Sequence, residues 1–249
     1  MKRVLSLDGG GVRGAVIIAF LEEIERQIAA IEGRKVRLCD WFDPIGGTST
    51  GAIIVGGLAL GYSAEGMPPG LFVDGGVTPF NNPSLMLFMV ATLPQYGLNF
   101  EAGEDRLQIV SVGTGSFRER LTVKQARNTR AYAVALRALT TQITDAQQQV
   151  LALMSWIGHS PTPWIINSEL GDLGAGPGPC ALPFQFLRYD IRLEKDWLLS
   201  HLGQRLTDAG IAALREMDDP TMIPELYGLA RLAAAQQVKP SDIKEWMPT

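Results

Sequence analysis

An α/β layered fold with a largely parallel sheet is predicted by three features of the sequence. Short apolar runs of strand length alternate with segments of helical period, several of those runs end in glycine-rich turns, and no repeat or polar linker divides the chain. Strands joined through helices pair in parallel, because each crossover returns the chain to the same end of the sheet.

Taken in order, Val4-Leu5-Ser6-Leu7 is a buried strand that meets Asp8 and the glycines Gly9, Gly10 and Gly11, with Val12-Arg13-Gly14 after them. Over residues 15–31, Ile17, Phe20, Leu21, Ile24, Ile28 and Ile31 recur at three- and four-residue steps, predicting an amphipathic helix that Gly33 ends. Residues 36–41 read as a strand or the lead into one. Phe42-Asp43-Pro44-Ile45 then enters Gly46-Gly47-Thr48-Ser49-Thr50-Gly51, and residues 52–60 are apolar on nearly all sides, as in a helix packed into a core. Leu71-Phe72-Val73 is another short strand, followed directly by Asp74-Gly75-Gly76. Ser84 is placed as the N-cap of a helix running to Leu93. Residues 107–112 form a strand ending in Gly113-Thr114-Gly115. Helices are predicted over 145–157, 206–217 and 223–238, an extended segment over 186–193, and a Gly/Pro-rich loop over 170–183.

Composition narrows the classes. The 249 residues are 46% apolar and 19% charged, enough for one sizeable core, so a single domain over 1–249 is expected. A formal net charge of −4 argues against a nucleic-acid partner, whose footprint is a basic face, and leaves lipid contact to apolar groups or a local basic patch. Two cysteines, Cys39 and Cys180, without clustered histidines make neither a disulfide scaffold nor a zinc site, and no metal or other cofactor is expected. The apolar stretch at the amino terminus is too short for a signal peptide and the run 85–93 too short to span a bilayer. The expectation is a cytoplasmic protein, peripheral at a membrane if it meets one. The run 85–93 reads as a buried helix beside the active site, with a membrane-touching face as the alternative.

Gly47-Thr48-Ser49-Thr50-Gly51 is a G-x-S-x-G between a strand and an apolar helix, the context in which that motif makes a nucleophile elbow. Ser49 would sit at the positive end of the following helix, which favours developing negative charge. Asp74 follows the next strand, so a right-handed crossover brings both residues to the carboxyl edge of parallel strands, where open α/β sheets bind ligands. Asp8-Gly9-Gly10-Gly11-Val12-Arg13-Gly14 opens a helix with backbone N–H groups that no side chain covers. Acyl transfer needs such donors for the oxyanion, and Gly10 and Gly11 are the candidates, with Gly9 shaping the turn. Gly9, Gly11 and Gly14 also satisfy G-x-G-x-x-G, and Asp40 lies near the distance of a ribose-binding acid, so a dinucleotide-binding oxidoreductase is a competing reading. Against it, Asp8 would repel a pyrophosphate, and Ser49 and Asp74 would be unexplained. His159 and His201 carry no local catalytic pattern and read as structural, whereas a Ser–Asp pair needs no histidine.

With these motifs in one order, the sequence resembles the patatin-like phospholipases, whose pattern is a DGGGxRG loop, a GxSxG elbow and a later DG[GA]. The motifs stand here at 8–14, 47–51 and 74–76, and Leu5-Ser6-Leu7, Asn81-Asn82-Pro83 and Phe186-Leu187-Arg188-Tyr189-Asp190 also look familial. The resemblance implies a three-layer α/β/α patatin-like fold with a central, largely parallel sheet and a metal-independent serine lipid acyl hydrolase of phospholipase A type. It implies a membrane phospholipid or other acyl lipid as substrate. Ser49 would be the nucleophile, Asp74 the base and Gly9, Gly10 and Gly11 the oxyanion loop; Asp8, Arg13, Gly14, Gly47, Gly51, Gly75 and Gly76 would support the motifs. The departure from the pattern is the interval between elbow and DG[GA]. Family members carry a long segment there, with a further strand and a lipid-facing cap, but here only residues 52–73 intervene. A segment is therefore expected to be missing or deleted near Gly66 and Met67. A non-catalytic lipid-binding module is the other alternative.

Overall fold

The computed structural model describes residues 1–64, 81–118, 131–162, 164–166, 170–173 and 182–244, with 131–143 and 244 as backbone alone. Its strands are β1 (Lys2–Leu7), β2 (Ile45–Gly47), β3 (Leu107–Val112) and β4 (Gln185–Tyr189). All four are parallel and lie in the order β2-β1-β3-β4. Leu7 pairs with Gly47 on one side and Val112 on the other, and Val112 pairs with Tyr189. The loops that follow the four strands therefore leave from one level, at the carboxyl edge. The expected strand at 71–73, the motif Asp74-Gly75-Gly76, the seam near 66–67 and most of the loop 170–183 lie outside the described residues.

Strand residues alternate between two cores because successive side chains leave a pleated strand on opposite faces. Leu5, Leu7, Val110, Val112, Leu187 and Tyr189 face the larger core. Among the helices α1 (Gly14–Glu32), α2 (Leu38–Trp41), α3 (Thr50–Ala59), α4 (Ser84–Thr92), α5 (Ala131–Ile157), α6 (Lys195–Leu202), α7 (Asp208–Arg215), α8 (Ile223–Gln237) and α9 (Pro240–Lys244), all but α4 and α5 contribute to that core. Val4, Leu107, Ile109 and Phe186 face the smaller core with α4 and α5. Helices thus cover both faces of the sheet, giving the expected three-layer α/β/α arrangement. In α1 the predicted stripe is fully buried at Ile17, Phe20, Leu21, Ile24 and Ile28 and partly buried at Ile31, and Gly33 ends the helix with φ 67°, a conformation that costs a Cβ-bearing residue strain.

Several sequence expectations are corrected. Of the two readings of 36–41, the lead into a strand is the one found: residues 38–41 form a helical turn that buries Leu38 and Trp41 before the chain enters β2. Helix α3 is not packed on all sides: Gly51, Ile54 and Leu58 are buried, while Ala52 and Ala59 are exposed. The reason is position, since β2, beneath α3, is the end strand among the described strands and offers cover on one side only. Ser84 is the first residue of α4 rather than its cap; Pro83 holds the cap position, and Asn82 just before it accepts the Ser84 N–H on Oδ1 at 3.0 Å. The run 85–93 is buried on one face, where Phe88 packs on Phe184 at 4.7 Å, and exposed at Met86, Met89 and Leu93. Helix α5 begins before the predicted 145, and α6 and α9 were not foreseen, because each is short.

Phe20 is fully buried between α1 and the sheet and stacks on Tyr189 at 6.1 Å. Phe20→Ala should lower unfolding stability by about 3–5 kcal/mol, read as a reduced urea midpoint with an unchanged m-value.

Candidate active site

Ser49 occupies the turn between β2 and α3 with φ 51° and ψ −123°, the strained geometry of a side chain thrust out of a sharp strand-to-helix turn. The two flanking glycines are steric requirements. A Cβ on Gly47 would strike the backbone of Gly51 and Ala52, and one on Gly51 would strike the carbonyls of Leu7 and Asp8. The elbow is therefore jammed against the end of β1. Thr48 N–H donates to Leu7 O at 3.1 Å, and the Thr50 hydroxyl donates to Gly11 O at 2.8 Å. Ser49 is half-buried, and among the described residues its hydroxyl has no hydrogen-bond partner.

The glycine loop after β1 lies directly beside Ser49: a Cβ built on Gly9 would come within 3.2 Å of the Ser49 Cβ. Gly9 N–H donates to Asn81 O at 3.0 Å and its carbonyl accepts the Thr114 hydroxyl at 2.9 Å, so Gly9 anchors the loop and its donor is engaged. Val12 N–H donates to Met217 O at 2.9 Å. The N–H groups of Gly10 and Gly11 have no acceptor among the described residues, which leaves them available to a ligand. Gly14 opens α1 where a larger residue would meet the Thr50 side chain. Arg13 is buried, its Nη1 donating to Gly115 O at 3.1 Å, so it braces the β1 loop against the β3 loop.

Sequence reasoning missed what holds Asp8. Asp8 is fully buried and pairs with Arg188 Nη2 at 2.8 Å; the same nitrogen pairs with Asp190 at 2.8 Å. Gln147 Nε2 donates to Asp8 at 2.8 Å, and Arg188 Nη1 donates to the Ser111 hydroxyl at 2.7 Å. Asp190 accepts from the N–H of Gly115 at 2.8 Å and of Ile191 at 2.9 Å. Burial pushes the Asp8 carboxyl up to about 6, because Arg188 and Gln147 offset only part of the lost solvation. Burial also works against the Arg188 charge, but Asp8 and Asp190 outweigh it and hold the guanidinium protonated. A signal was present: Arg188 and Asp190 are charged residues two apart in an otherwise apolar strand run, a spacing that puts both on one face.

The candidates for rival chemistries fall elsewhere. Asp40 lies in α2, beside Met1, Lys2 and Arg3 at the amino end of β1, on the opposite edge of the sheet from Gly9–Gly14. The ribose contact of a dinucleotide site is therefore missing. His159 contacts Glu104 at 3.4 Å and His201 stacks on Trp197 at 4.6 Å, in keeping with structural roles. No described helix is long and apolar enough to cross a membrane.

The profile of the patatin-like phospholipase family matches residues 5–71. Over that stretch the chain is patatin-like. Patatin-like protein 1 of Arabidopsis thaliana is 46% identical over 57 residues, 23% of this chain and 14% of that protein. A cGAMP-activated phospholipase of Escherichia coli is 50% identical over 64 residues, 25% of this chain and 18% of that protein. Patatin-2-Kuras 1 of Solanum tuberosum is 47% identical over 55 residues, 22% of this chain and 15% of that protein. The matched stretch thus spans less than a fifth of each of these relatives. The patatin-like region carries β1, the glycine loop and the elbow, and its profile match ends before Asp74.

Two measurements test the buried network. Arg188→Met leaves two carboxylates buried without their cation and should cost about 3–5 kcal/mol of stability in urea unfolding. Asp8, with a folded pKa raised to about 6, holds its proton in the folded state at pH values where the unfolded chain has released it. Wild-type stability therefore falls, through this group, as pH rises from about 4 to about 6. Asp8→Asn cannot titrate there, so its stability relative to wild type should improve across that window and level off above it.

Proposed function

We propose that this protein is a serine lipid acyl hydrolase that cleaves acyl esters of glycerolipids with Ser49 as nucleophile and Asp74 as base. The observation that carries the reading is the Ser49 elbow: a serine at positive φ, with glycines imposed on both sides by backbone contact, a hydroxyl without a partner among the described residues and a helix N-terminus behind it. The patatin-like match over the same residues supports lipid esters as the substrate class.

The substrate carbonyl oxygen is taken to lie toward the N–H groups of Gly10 and Gly11. Ser49 Oγ attacks the carbonyl carbon as its proton passes to Asp74, and the negative charge that develops on the oxygen is held by those donors. Collapse of the tetrahedral intermediate breaks the ester C–O bond, and Asp74 returns the proton to the leaving alcohol. Water, deprotonated by Asp74, then attacks the acyl-serine, and fatty acid departs with Ser49 reprotonated. Gly47, Gly51, Gly14 and Thr50 keep the elbow and the glycine loop in contact, Asp8 and Arg13 brace the loop, and Gly75 and Gly76 let Asp74 approach the serine. The chain is proposed to act as one domain, with a segment missing or deleted near 66–67 relative to the family pattern. The intact mass of the natural polypeptide checks that point: 27.0 kDa means that the segment is absent from the protein.

Wild-type protein should hydrolyse a short-chain ester and be labelled by a fluorophosphonate. Ser49→Ala should abolish labelling and lower kcat by about a thousandfold or more, and Asp74→Asn should do the same to kcat. Folded Ser49→Ala with most of its activity intact would end the proposal. Lipid binding without labelling of the wild type would mean a non-catalytic lipid-binding module.

A further inference from the structure

Next to the glycine loop is a cavity of about 340 Å³ whose wall includes Gly10 but not Ser49. It opens where the loops after β1, β3 and β4 converge. Among the described strands this is the point at which the strand order reverses, since β2 lies on one side of β1 and β3 on the other. Ligands of open α/β sheets bind in such a crevice. Among the described residues, four guanidinium groups line the cavity, Arg13, Arg118, Arg192 and Arg215, against two carboxylates, Glu194 and Glu216. Cations thus outnumber carboxylates by two among the described lining residues, in a chain whose formal net charge is −4.

Arg192 is the telling residue. It is 7% exposed, lies over the Trp164 ring at 4.9 Å, and has no hydrogen bond or ion pair to its guanidinium among the described residues. A buried cation without a counter-ion is costly. Its pKa is lowered by burial and, next, by the like charge of Arg118. Arg118 is only loosely paired with Glu194, at 3.7 Å. Phe117 fixes two of the other cations, with Arg215 at 4.8 Å and Arg13 at 5.5 Å from its ring. Aromatic faces hold the guanidinium planes without neutralising them, which pre-positions forked donors for an oxyanion.

We infer that this cavity binds a phosphate group through Arg192 and Arg118, at a site distinct from that of the reacting ester. The phosphate belongs either to the headgroup of a lipid or to free phosphate. The affinity itself does not depend on the hydrolase reading; only the headgroup source rests on it.

The test is calorimetric titration of the whole protein with inorganic phosphate. Wild type should bind at millimolar concentration or better, and Arg192→Gln should weaken binding at least tenfold, with Arg192→Lys intermediate because it keeps the charge but loses the fork. Arg118→Gln, at a half-exposed position, should also weaken binding and guards against misfolding of the Arg192 variants. Turnover of phosphatidylglycerol and of diacylglycerol with the same chains then separates the sources. A headgroup site predicts that Arg192→Gln lowers the phosphatidylglycerol-to-diacylglycerol ratio of kcat/KM about tenfold. A free-phosphate site predicts an unchanged ratio, with added phosphate altering turnover of both lipids in wild type and not in Arg192→Gln. Phosphate binding with no hydrolysis of either lipid would sink the hydrolase reading and leave this site standing. The proposal is overturned if wild type does not bind phosphate, if folded Arg192→Gln and Arg118→Gln bind it equally well, or if bound phosphate changes neither the ratio nor the turnover of active protein.

Discussion

The guanidinium of Arg188 bridges the carboxylates of Asp8 and Asp190 at 2.8 Å each, with all three side chains removed from solvent. Asp8 begins the glycine loop after β1, Arg188 stands near the end of β4, and β3 lies between those strands. Backbone hydrogen bonds carry the ladders just past the strand ends, with Asp8 N–H donating to Val112 O at 3.1 Å and Gly113 N–H to Tyr189 O at 2.9 Å. The ion pairs reinforce that alignment with side-chain contacts across the same edge, and Gln147 and Ser111 add donors and acceptors from the helical layer and the middle strand. A buried charge network of this kind adds little net stability over apolar packing, but each member is expensive to orphan. Its consequence here is placement: Asp8 cannot move without stranding a cation, so the loop it begins is held beside Ser49.

Steric exclusion does for the elbow what charge does for the glycine loop. Gly51 sits where any side chain would collide with the carbonyls at the end of β1, and Thr50 donates to Gly11 across the same gap. The turn that carries Ser49 and the loop that carries Gly10 and Gly11 are therefore one packed unit. Such coupling is what a reaction with a short attack distance demands, because misplacement by about 1 Å can cost two orders of magnitude in rate. The positive φ of Ser49 is the strain this arrangement retains, and the contacts around it hold that strain in place.

The carboxyl edge treats its buried charges in two ways. Arg188 is bonded through its terminal nitrogens to Asp8, Asp190 and Ser111, and Arg13 donates one nitrogen to the Gly115 carbonyl. Arg192, two residues beyond Asp190, lies over the Trp164 ring and, among the described residues, has no hydrogen bond or ion pair to its guanidinium. The same short stretch, Arg188 to Arg192, thus carries a cation that fixes the fold and another that stays open to the cavity. Alternation along the extended chain puts both on the same side.

Much of this was legible locally. The period of α1, the strands at 4–7 and 107–112, the glycine stop at Gly33 and the strand–glycine–helix order around Ser49 follow from side-chain periodicity and from the missing Cβ, which are properties of a few neighbouring residues. The helical form of 38–41 was not legible because a single turn has too little period to read, and Ser84 misled because it lies inside the helix, with its N–H taken by the Asn82 side chain. What the sequence by itself determined was the class of fold and the motifs at its strand ends. Only the tertiary structure decided that Asp8 is held by Arg188, 180 residues away, that the Gly9 N–H goes to Asn81 while those of Gly10 and Gly11 have no acceptor among the described residues, and that Arg192 faces a cavity. Those outcomes depend on pairings between distant segments that only packing of the sheet and its helices brings together.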